Sequence, residues 1–155
     1  MINLIERFEA FTTSITKAYK CIQKIKIMEA ERIGLKANHI MYMYYLGKNP
    51  EGLTSIDLCK LCIEDKAAVS RGIVDLTEKG FVELSQTDLG RKYRTKFILT
   101  SEGCEINKKL NDAIAIAVNK ASSDLSEIER ANFYNVLFNI TNNIEKIYES
   151  YIKDK

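Results

Sequence analysis

The fold of this chain is decided by one short stretch in its middle, which reads Asp65-Lys66-Ala67-Ala68-Val69-Ser70-Arg71-Gly72-Ile73-Val74-Asp75-Leu76-Thr77-Glu78-Lys79-Gly80. Asp65 is suited to cap a helix, because its carboxylate can accept hydrogen bonds from the free amides of a first turn. Lys79 and Gly80 mark the other end, with a cation close to the last carbonyls and then a residue that can turn left-handed. One apolar stripe follows helical spacing, at Val69, Ile73 and Leu76. The stretch therefore predicts an amphipathic helix with its own start and stop.

The face opposite this stripe combines small residues with donors, at Lys66, Ala67, Ser70, Arg71 and Val74. Small side chains let a helix approach a DNA duplex closely, Arg can read guanine in the major groove, and Ser and Lys can hold phosphates. Such a face is suited to enter a major groove. It is also common on helices that are simply solvated, so the neighbouring segments have to decide between the two interpretations.

A second short helix is predicted immediately before this one. Thr54 or Ser55 can cap it, and it covers residues 56–63, while Leu53 in front of it is expected in a very short strand. Only the tight link Glu64-Asp65 separates the two helices. Two short helices joined by a tight turn predict a helix-turn-helix motif.

The pattern changes from helical to alternating after Gly80. Residues 81–86 and 95–100 alternate like two strands, and residues 87–94 form the predicted tip of a hairpin between them. The tip and its flank carry a cluster of cations, namely Arg91, Lys92, Arg94 and Lys96. A basic hairpin directly after a helix-turn-helix is typical of a wing, which lies along the DNA backbone and can place an Arg in the minor groove. The alternative is a solvated turn with incidental charge.

Long amphipathic helices are predicted at both ends of the chain. Apolar residues recur at heptad-like steps in the N-terminal helix, at Leu4, Phe8, Phe11, Ile15, Ala18, Ile22 and Ile25. Asp124 or Ser126 can cap the C-terminal helix. Its apolar residues recur in the same way, at Phe133, Leu137, Ile140, Ile144, Ile147 and Tyr151. The protein between these helices is too short to cover both seams, so the pattern favours mutual packing with a second subunit across a two-fold axis. The alternative is that both seams are buried within one chain.

The totals are those of an ordinary globular domain. The chain has 155 residues, 46% hydrophobic and 28% charged, and its formal net charge is +2. A single Pro and seven Gly favour a mostly helical protein. Further helices are predicted over residues 35–47 and from a cap at Thr100-Ser101-Glu102-Gly103 to about Ser122. We see no signal peptide, and the longest apolar run, residues 40–46, is too short to cross a bilayer. A cytoplasmic protein whose four Cys are reduced thiols is the expectation.

The order of these elements and several motifs resemble the MarR family of bacterial transcription regulators. Leu58-Cys59-Lys60-Leu61-Cys62 and Asp65-Lys66-Ala67-Ala68-Val69-Ser70-Arg71 are similar to the family pattern "LA-x-x-L … D-K-x-T-V-S-R". Leu76-Thr77-Glu78-Lys79-Gly80-Phe81-Val82 is similar to "L-E-x-K-G-L-I", and Leu99-Thr100-Ser101-Glu102-Gly103 is similar to "L-T-x-x-G". The resemblance covers nearly the whole chain in element order and is sharp from about Leu53 to Gly103.

The resemblance implies a mainly α fold with a small β-hairpin wing. It implies one MarR-like domain over residues 1–155, in which residues 1–33 and 104–155 form a helical dimerisation region and residues 34–103 form the winged helix-turn-helix DNA-binding region. It further implies a homodimer that binds a near-palindromic double-stranded DNA operator and regulates transcription, with repression as the expected outcome. The promoter and the operator sequence are beyond what the residues indicate.

The family's DNA contacts carry over to specific residues of this chain. On the helix they are Ala67, Ala68, Ser70 and Arg71, to which the residues themselves add Lys66; on the wing they are Arg91, Lys92 and Arg94. Two departures affect these assignments. Ala68 stands where the family usually has Thr, so one hydroxyl contact is missing, and the usual Asp-Arg pair of the wing tip is out of register. Asp88 with Arg91 or Arg94 can replace that pair.

The cysteines suggest other chemistry that the pattern supports less well. Cys59 and Cys62 have a C-x-x-C spacing, but a zinc site needs further ligands and the chain has one His, so core thiols are the better interpretation and no metal or cofactor is predicted. Some family members sense peroxide through an N-terminal Cys near tyrosines, and Cys21 beside Tyr19 keeps redox sensing open as an alternative function. A reactive thiol needs exposure and a lowered pKa, which a sequence does not reveal.

An effector site is not assigned. The family often binds small aromatic acids between the dimer helices and the winged region, which implies an effector of that class. His39, Tyr42 and Tyr45 can line such a pocket or can pack as an aromatic cluster, and the sequence favours neither.

An enzyme is not expected, because the chain has no Gly-rich phosphate loop, no paired nucleophile and base, and no metal set. A dimerisation module that does not read DNA is the other alternative. The cations that converge on one helix and one hairpin argue against it.

Overall fold

The computed structural model of the chain describes residues 3–86 and 95–154. Its helices are α1 (Leu4–Glu31), α2 (Ala37–Lys48), α3 (Ser55–Cys62), α4 (Lys66–Glu78), α5 (Ser101–Ala121) and α6 (Glu127–Lys153). Its strands are β1 (Leu53–Thr54), β2 (Val82–Leu84) and β3 (Lys96–Leu99). The predicted fold class, mainly α with a small β-sheet after a helix-turn-helix, is confirmed. The predicted wing tip, with Arg91, Lys92 and Arg94, lies outside the described residues.

The chain divides into two compact units. The N-terminal unit, Met1–Ile114, holds α1 to α4, the sheet and the first part of α5, and the C-terminal unit, Ala115–Lys155, holds the rest of α5 and α6. No helix within the described ranges combines the length and apolar character that crossing a bilayer requires. The domain boundaries inferred from the sequence stay a prediction.

The core of the N-terminal unit forms around α2. Its members are buried apolar residues from α1, α2, the strands and α3 to α5, which include Ala30, Ile40, Tyr42, Met43, Leu46, Leu58, Val69, Ile73, Leu76, Val82 and Leu110. The predicted stripe of the central helix is part of this core, since Val69 and Leu76 are fully buried and Ile73 is 4% exposed. Burial of α4 on α2 therefore decides which side of α4 faces the solvent.

Local hydrogen bonds fix where the helices start and end. The Asp65 carboxylate accepts from the Ala68 amide at 2.8 Å, and Gly80 has the left-handed φ of +77° that its position at the helix end predicts. Where the sequence left two candidates, Thr54 caps α3 and Ser126 caps α6, each in a reciprocal capping box. Thr100 starts α5, because its hydroxyl accepts from the Gly103 amide at 3.0 Å.

The three strands form an antiparallel sheet in the order β1-β3-β2. The expected short strand at Leu53 is confirmed, and it pairs with Phe97 of β3. Both hairpin strands are shorter than the alternating pattern predicts. At the start of β2 the reason is the hydrogen bond of the Phe81 amide. This amide donates to the Leu76 carbonyl at 3.0 Å, which closes α4, so it does not donate within the sheet.

The long terminal helices bury almost nothing within their own units. In α1 only Ala30 is buried, and α6 has no buried residue. On α1 the exposed apolar side chains include Leu4, Phe8, Ile15, Ile22 and Ile25. On α6 they include Phe133, Ile140, Ile144, Ile147 and Tyr151. Each helix thus carries an apolar face that its own unit leaves exposed.

The close contact between α2 and α4 yields a stability prediction for Gly72. A Cβ at this position would lie 2.3 Å from Cε2 of Tyr42, whose side chain is fully buried and has no room to move. We expect Gly72→Ala to lower the free energy of unfolding by about 1–3 kcal/mol through overpacking, even though alanine is favoured over glycine in a helix by about 1 kcal/mol. Urea unfolding monitored by circular dichroism measures the change.

Ser70→Ala is the matched control for this variant, because Ser70 is exposed on the same helix. Its free energy of unfolding should stay within about 0.5 kcal/mol of the wild type. A Gly72→Ala protein as stable as the wild type would contradict the packing described here.

Candidate nucleic-acid interface

The solvent side of α4 presents the residues that the sequence selects as DNA contacts. Lys66, Ala67, Ser70 and Arg71 are exposed, and Ala68 is half-buried. We call these five residues the reading face. On the opposite side the Val69, Ile73 and Leu76 side chains are buried together with Gly72, so the two faces of α4 are separated as the pattern predicts.

The start of α4 combines a carboxylate cap, Asp65, with a cation, Lys66. The first turn of the helix contains no acidic residue, and the Asp65 cap uses one carboxylate oxygen on the Ala68 amide. Free amides at a helix start carry partial positive charge, and Lys66 adds a full charge beside them. The Asp65 carboxylate offsets part of this positive charge, so Lys66 is the group at this end that can attract a phosphate.

The turn between α3 and α4 is held by a hydrogen-bonded chain that starts on α2. Ile63 ends α3 in the left-handed region with φ of 55°, and the Glu64 amide donates to the Cys59 carbonyl at 3.1 Å. The Tyr42 hydroxyl donates to the Glu64 carboxylate and accepts from the Asn38 side-chain amide at 3.3 Å. Burial and the Glu64 bond raise the pKa of Tyr42, which keeps the hydroxyl protonated as a donor. The turn is thereby tied to the core helix.

A groove of about 340 Å³ runs beside the reading face, between the start of α2 and α4. Its lining consists of Lys36, Asn38, Ala68, Ser70, Arg71, Gly72, Val74 and Asp75. Across it the Lys36 ammonium pairs with the Asp75 carboxylate, and this hydrogen bond lowers the pKa of Asp75. Arg71 lies in the same groove and makes no ion pair with any of the residues that the structure describes.

Sequence reasoning missed Lys36 and Asp75 as neighbours of the reading face. The i, i+4 spacing of Arg71 and Asp75 was visible, and it places both on one side of a helix. The pairing with Lys36 was not visible, because it joins residues far apart in the sequence and depends on how α2 packs on α4.

His39 lies directly behind this groove. Its side chain is fully buried, its Nδ1 accepts from the Lys36 amide at 3.2 Å, and the proton is therefore on Nε2. Nε2 lies 3.6 Å from the Asp75 carboxylate and has no hydrogen-bond partner among the described residues. Burial lowers the pKa of His39 more than the attraction of Asp75 raises it, while Lys36 and Lys79 also disfavour the charged form.

The residues named for an effector pocket lie in two separate ring contacts of the N-terminal unit. His39 and Tyr42 are fully buried, with ring centroids 6.5 Å apart, and Tyr45 is half-buried with its ring edge-on to Tyr44 at 5.2 Å. His39 and Tyr42 thus pack in the core, whereas Tyr45 contacts Tyr44 instead of joining them. No effector site follows from these contacts.

The cysteines are free thiols in different surroundings. Cys59 and Cys62 are half-buried and pack against the core, and burial raises the pKa of Cys62 to about 12, so this thiol stays protonated. Cys21 and Cys104 are exposed. No group of three His, Cys, Asp or Glu side chains within residues 3–86 and 95–154 is arranged to hold a metal ion. Redox sensing through Cys21 stays a hypothesis.

The burial of His39 predicts a pH dependence of stability. Because its pKa is lower in the folded than in the unfolded chain, the unfolded state binds more protons below the ordinary value of 6.5. The stabilisation is present above that pH and is lost as the pH falls, at no more than about 1.4 kcal/mol per pH unit for one proton. Unfolding free energies between about pH 7.5 and about pH 5.5 should fall in the wild type and less steeply in His39→Gln. Parallel curves for the two proteins would assign the loss to other groups.

Solved structures share this architecture. A MarR transcriptional regulator from Methanosarcina mazei superposes with a TM-score of 0.76 at 19% sequence identity, covering 90% of this chain and 92% of that one. A MarR-family regulator from Listeria monocytogenes, solved with a 26mer DNA, gives a TM-score of 0.80 at 18% identity, covering 93% of this chain and 94% of the other. The DNA complex of MepR from S. aureus gives 0.76 at 17% identity, over 86% of this chain and 97% of that one.

Neither a protein-family model nor a curated protein matches the sequence. At these identities the structural similarity speaks for the fold. The chain therefore has the winged helix-turn-helix fold of the MarR-type transcriptional regulators.

Proposed function

We propose that this protein is a transcriptional regulator that binds double-stranded DNA in a sequence-specific manner, as a homodimer on a near-palindromic operator. The single observation that carries the proposal is the reading face, a set of small and cationic residues exposed on a capped helix whose other side is fixed in the core. Two solved neighbours of the same fold were determined with DNA. Repression is the expected regulatory outcome, and the cytoplasm is the expected location.

The composition of the reading face is suited to the major groove. Ala67 and Ala68 leave room for close approach, and Arg71 has its guanidinium available for a bidentate contact with guanine. Lys66 and Ser70 can hold phosphates on either side of the groove. The overall charge of +2 is too small to bind DNA without local concentration, so the cations of α4 and of the predicted wing have to act together.

The exposed apolar faces of α1 and α6 support the dimer. Apolar patches of this length are rare on monomers and mark an interface. A second copy of the chain is the partner that the heptad-like seams favour, because a two-fold axis lets the same surface cover itself. Such a dimer presents two reading faces, and we expect half-sites about 34–36 Å apart.

Base reading by Arg71 is tested by removing its side chain. With a duplex selected from random sequences by the purified protein, Arg71→Ala should cost about 1–3 kcal/mol of binding free energy and relax the sequence preference. Fluorescence anisotropy with the selected duplex and with scrambled duplexes measures both effects. A selected motif with two-fold symmetry is expected, and the absence of any selected motif would refute sequence-specific binding.

Replacing Lys92 and Arg94 together tests phosphate contacts of the predicted wing, in contrast to the base reading tested by Arg71→Ala. These wing cations are expected to hold phosphates, so the double variant should weaken all duplexes alike and flatten the salt dependence by about 1–2 units. Unaltered salt dependence would show that the wing does not contact the DNA backbone.

The dimer is tested on α6. Phe133→Glu with Ile147→Glu places two charges on the exposed apolar face and should convert the protein to a monomer in sedimentation velocity experiments, with a large loss of affinity for the symmetric duplex. Asn143→Glu with Lys146→Glu is the matched control on exposed polar positions of the same helix and should stay dimeric. A wild-type protein that sediments as a monomer at micromolar concentration would refute the assembly.

A further inference from the structure

We propose that Lys36 is a positioning residue for the proposed DNA reading, and that it keeps Arg71 available by holding the Asp75 carboxylate. The inference rests on the proposed function and adds a residue outside the helix-turn-helix to it. Lys36 precedes α2 and belongs to neither the reading face nor the predicted wing.

Arg71 and Asp75 are placed to pair with each other. They are four residues apart on α4, which brings their side chains to the same side of the helix, and both line the groove beside the reading face. An Arg71 that folded back onto Asp75 would use the donors with which it can read guanine. The helix therefore contains a potential competitor for its own base-reading residue.

The structure shows this competitor engaged elsewhere. The Lys36 ammonium bonds to Asp75 Oδ2, and Nε2 of the buried His39 lies 3.6 Å from the same oxygen. The carboxylate is thus drawn toward the start of α2 and away from the solvent side of α4. Among the residues that the structure describes, Lys79 also lowers the pKa of Asp75.

The Lys36 pair also removes an electrostatic penalty. Asp75 is an acidic residue beside a surface proposed to meet a polyanion, and an unpaired carboxylate there would repel phosphates. The Lys36 side chain is largely exposed, so it pairs with Asp75 without being part of the core. Its function is therefore open to test with less risk to folding than a buried residue would carry.

The test removes the ammonium with Lys36→Met and measures affinity for the selected duplex. An exposed i, i+4 ion pair shifts the equilibrium between paired and unpaired side chains by roughly a factor of two. Without Lys36, Arg71 should therefore pair with Asp75 part of the time, and the affinity should fall about two- to threefold. Lys36→Arg should restore the wild-type affinity. Lys48→Met, at the other end of α2, is the matched control and should change the affinity less.

Two further backgrounds separate positioning from a direct contact between Lys36 and DNA. If Lys36 acts through Asp75, Lys36→Met should have no additional effect in an Asp75→Asn protein, and in an Arg71→Ala protein only the smaller repulsion from the unpaired Asp75 carboxylate should remain. If Lys36 binds a phosphate itself, its loss will weaken binding by the same factor in both backgrounds. That result, or an unchanged affinity of Lys36→Met alone, would overturn the proposal.

A second measurement does not depend on DNA at all. NMR titration of the Asp75 carboxyl should give a lowered pKa in the wild type, because Lys36 stabilises the carboxylate. In Lys36→Met the pKa should stay below the ordinary range, and adding Arg71→Ala should then raise it. A pKa that does not respond to Arg71→Ala in the Lys36→Met background would refute the competition between the two partners. A wild type that binds no duplex would refute the proposed function while leaving this titration informative.

Discussion

Tyr42 and Gly72 touch where the centre of α2 meets α4, and the placement of the reading face depends on that contact. Glycine at this position lets the helix axis approach a fully buried ring that larger side chains would push away. The same ring carries a hydroxyl that holds Glu64 at the turn between α3 and α4. One aromatic residue on the core helix thus sets both the depth of α4 and the position of its first turn. The reading face is exposed because this contact fixes the rotation of the helix that carries it.

Features governed by local chemistry could be predicted from the sequence. The cap at Asp65, the left-handed Gly80 and the apolar stripe of α4 each depend on residues within a few positions of one another. The sequence offers two N-cap candidates for α3 and two for α6, and in the structure the caps are Thr54 and Ser126. Strand lengths were overestimated, because an alternating pattern does not reveal that the Phe81 amide is already used to close the preceding helix.

Features that join distant segments could not be predicted in the same way. The pattern placed His39 early in a helix but did not indicate that its ring would be fully buried against Asp75 of another helix. The seams of α1 and α6 were recognised as apolar, yet their periodicity does not specify what covers them. Burial within one chain and burial by a second copy require the same residues. The structure shows these faces exposed in their own units, and burial by a second copy is the interpretation that we propose.

The acidic residue on the reading helix can be understood from these constraints together. Asp75 would be a poor choice on a surface proposed to meet phosphates if it were free. It lies where the Lys36 ammonium and the buried His39 imidazole, both from the start of α2, face its carboxylate. Its charge is thus partly neutralised by a group on another helix. Such a pair is worth little as a stabilising interaction, because Lys36 is largely exposed. The ion pair matters because it directs the Asp75 carboxylate toward α2. Arg71 lies one turn earlier on α4, and its donors then have no acidic partner at Asp75.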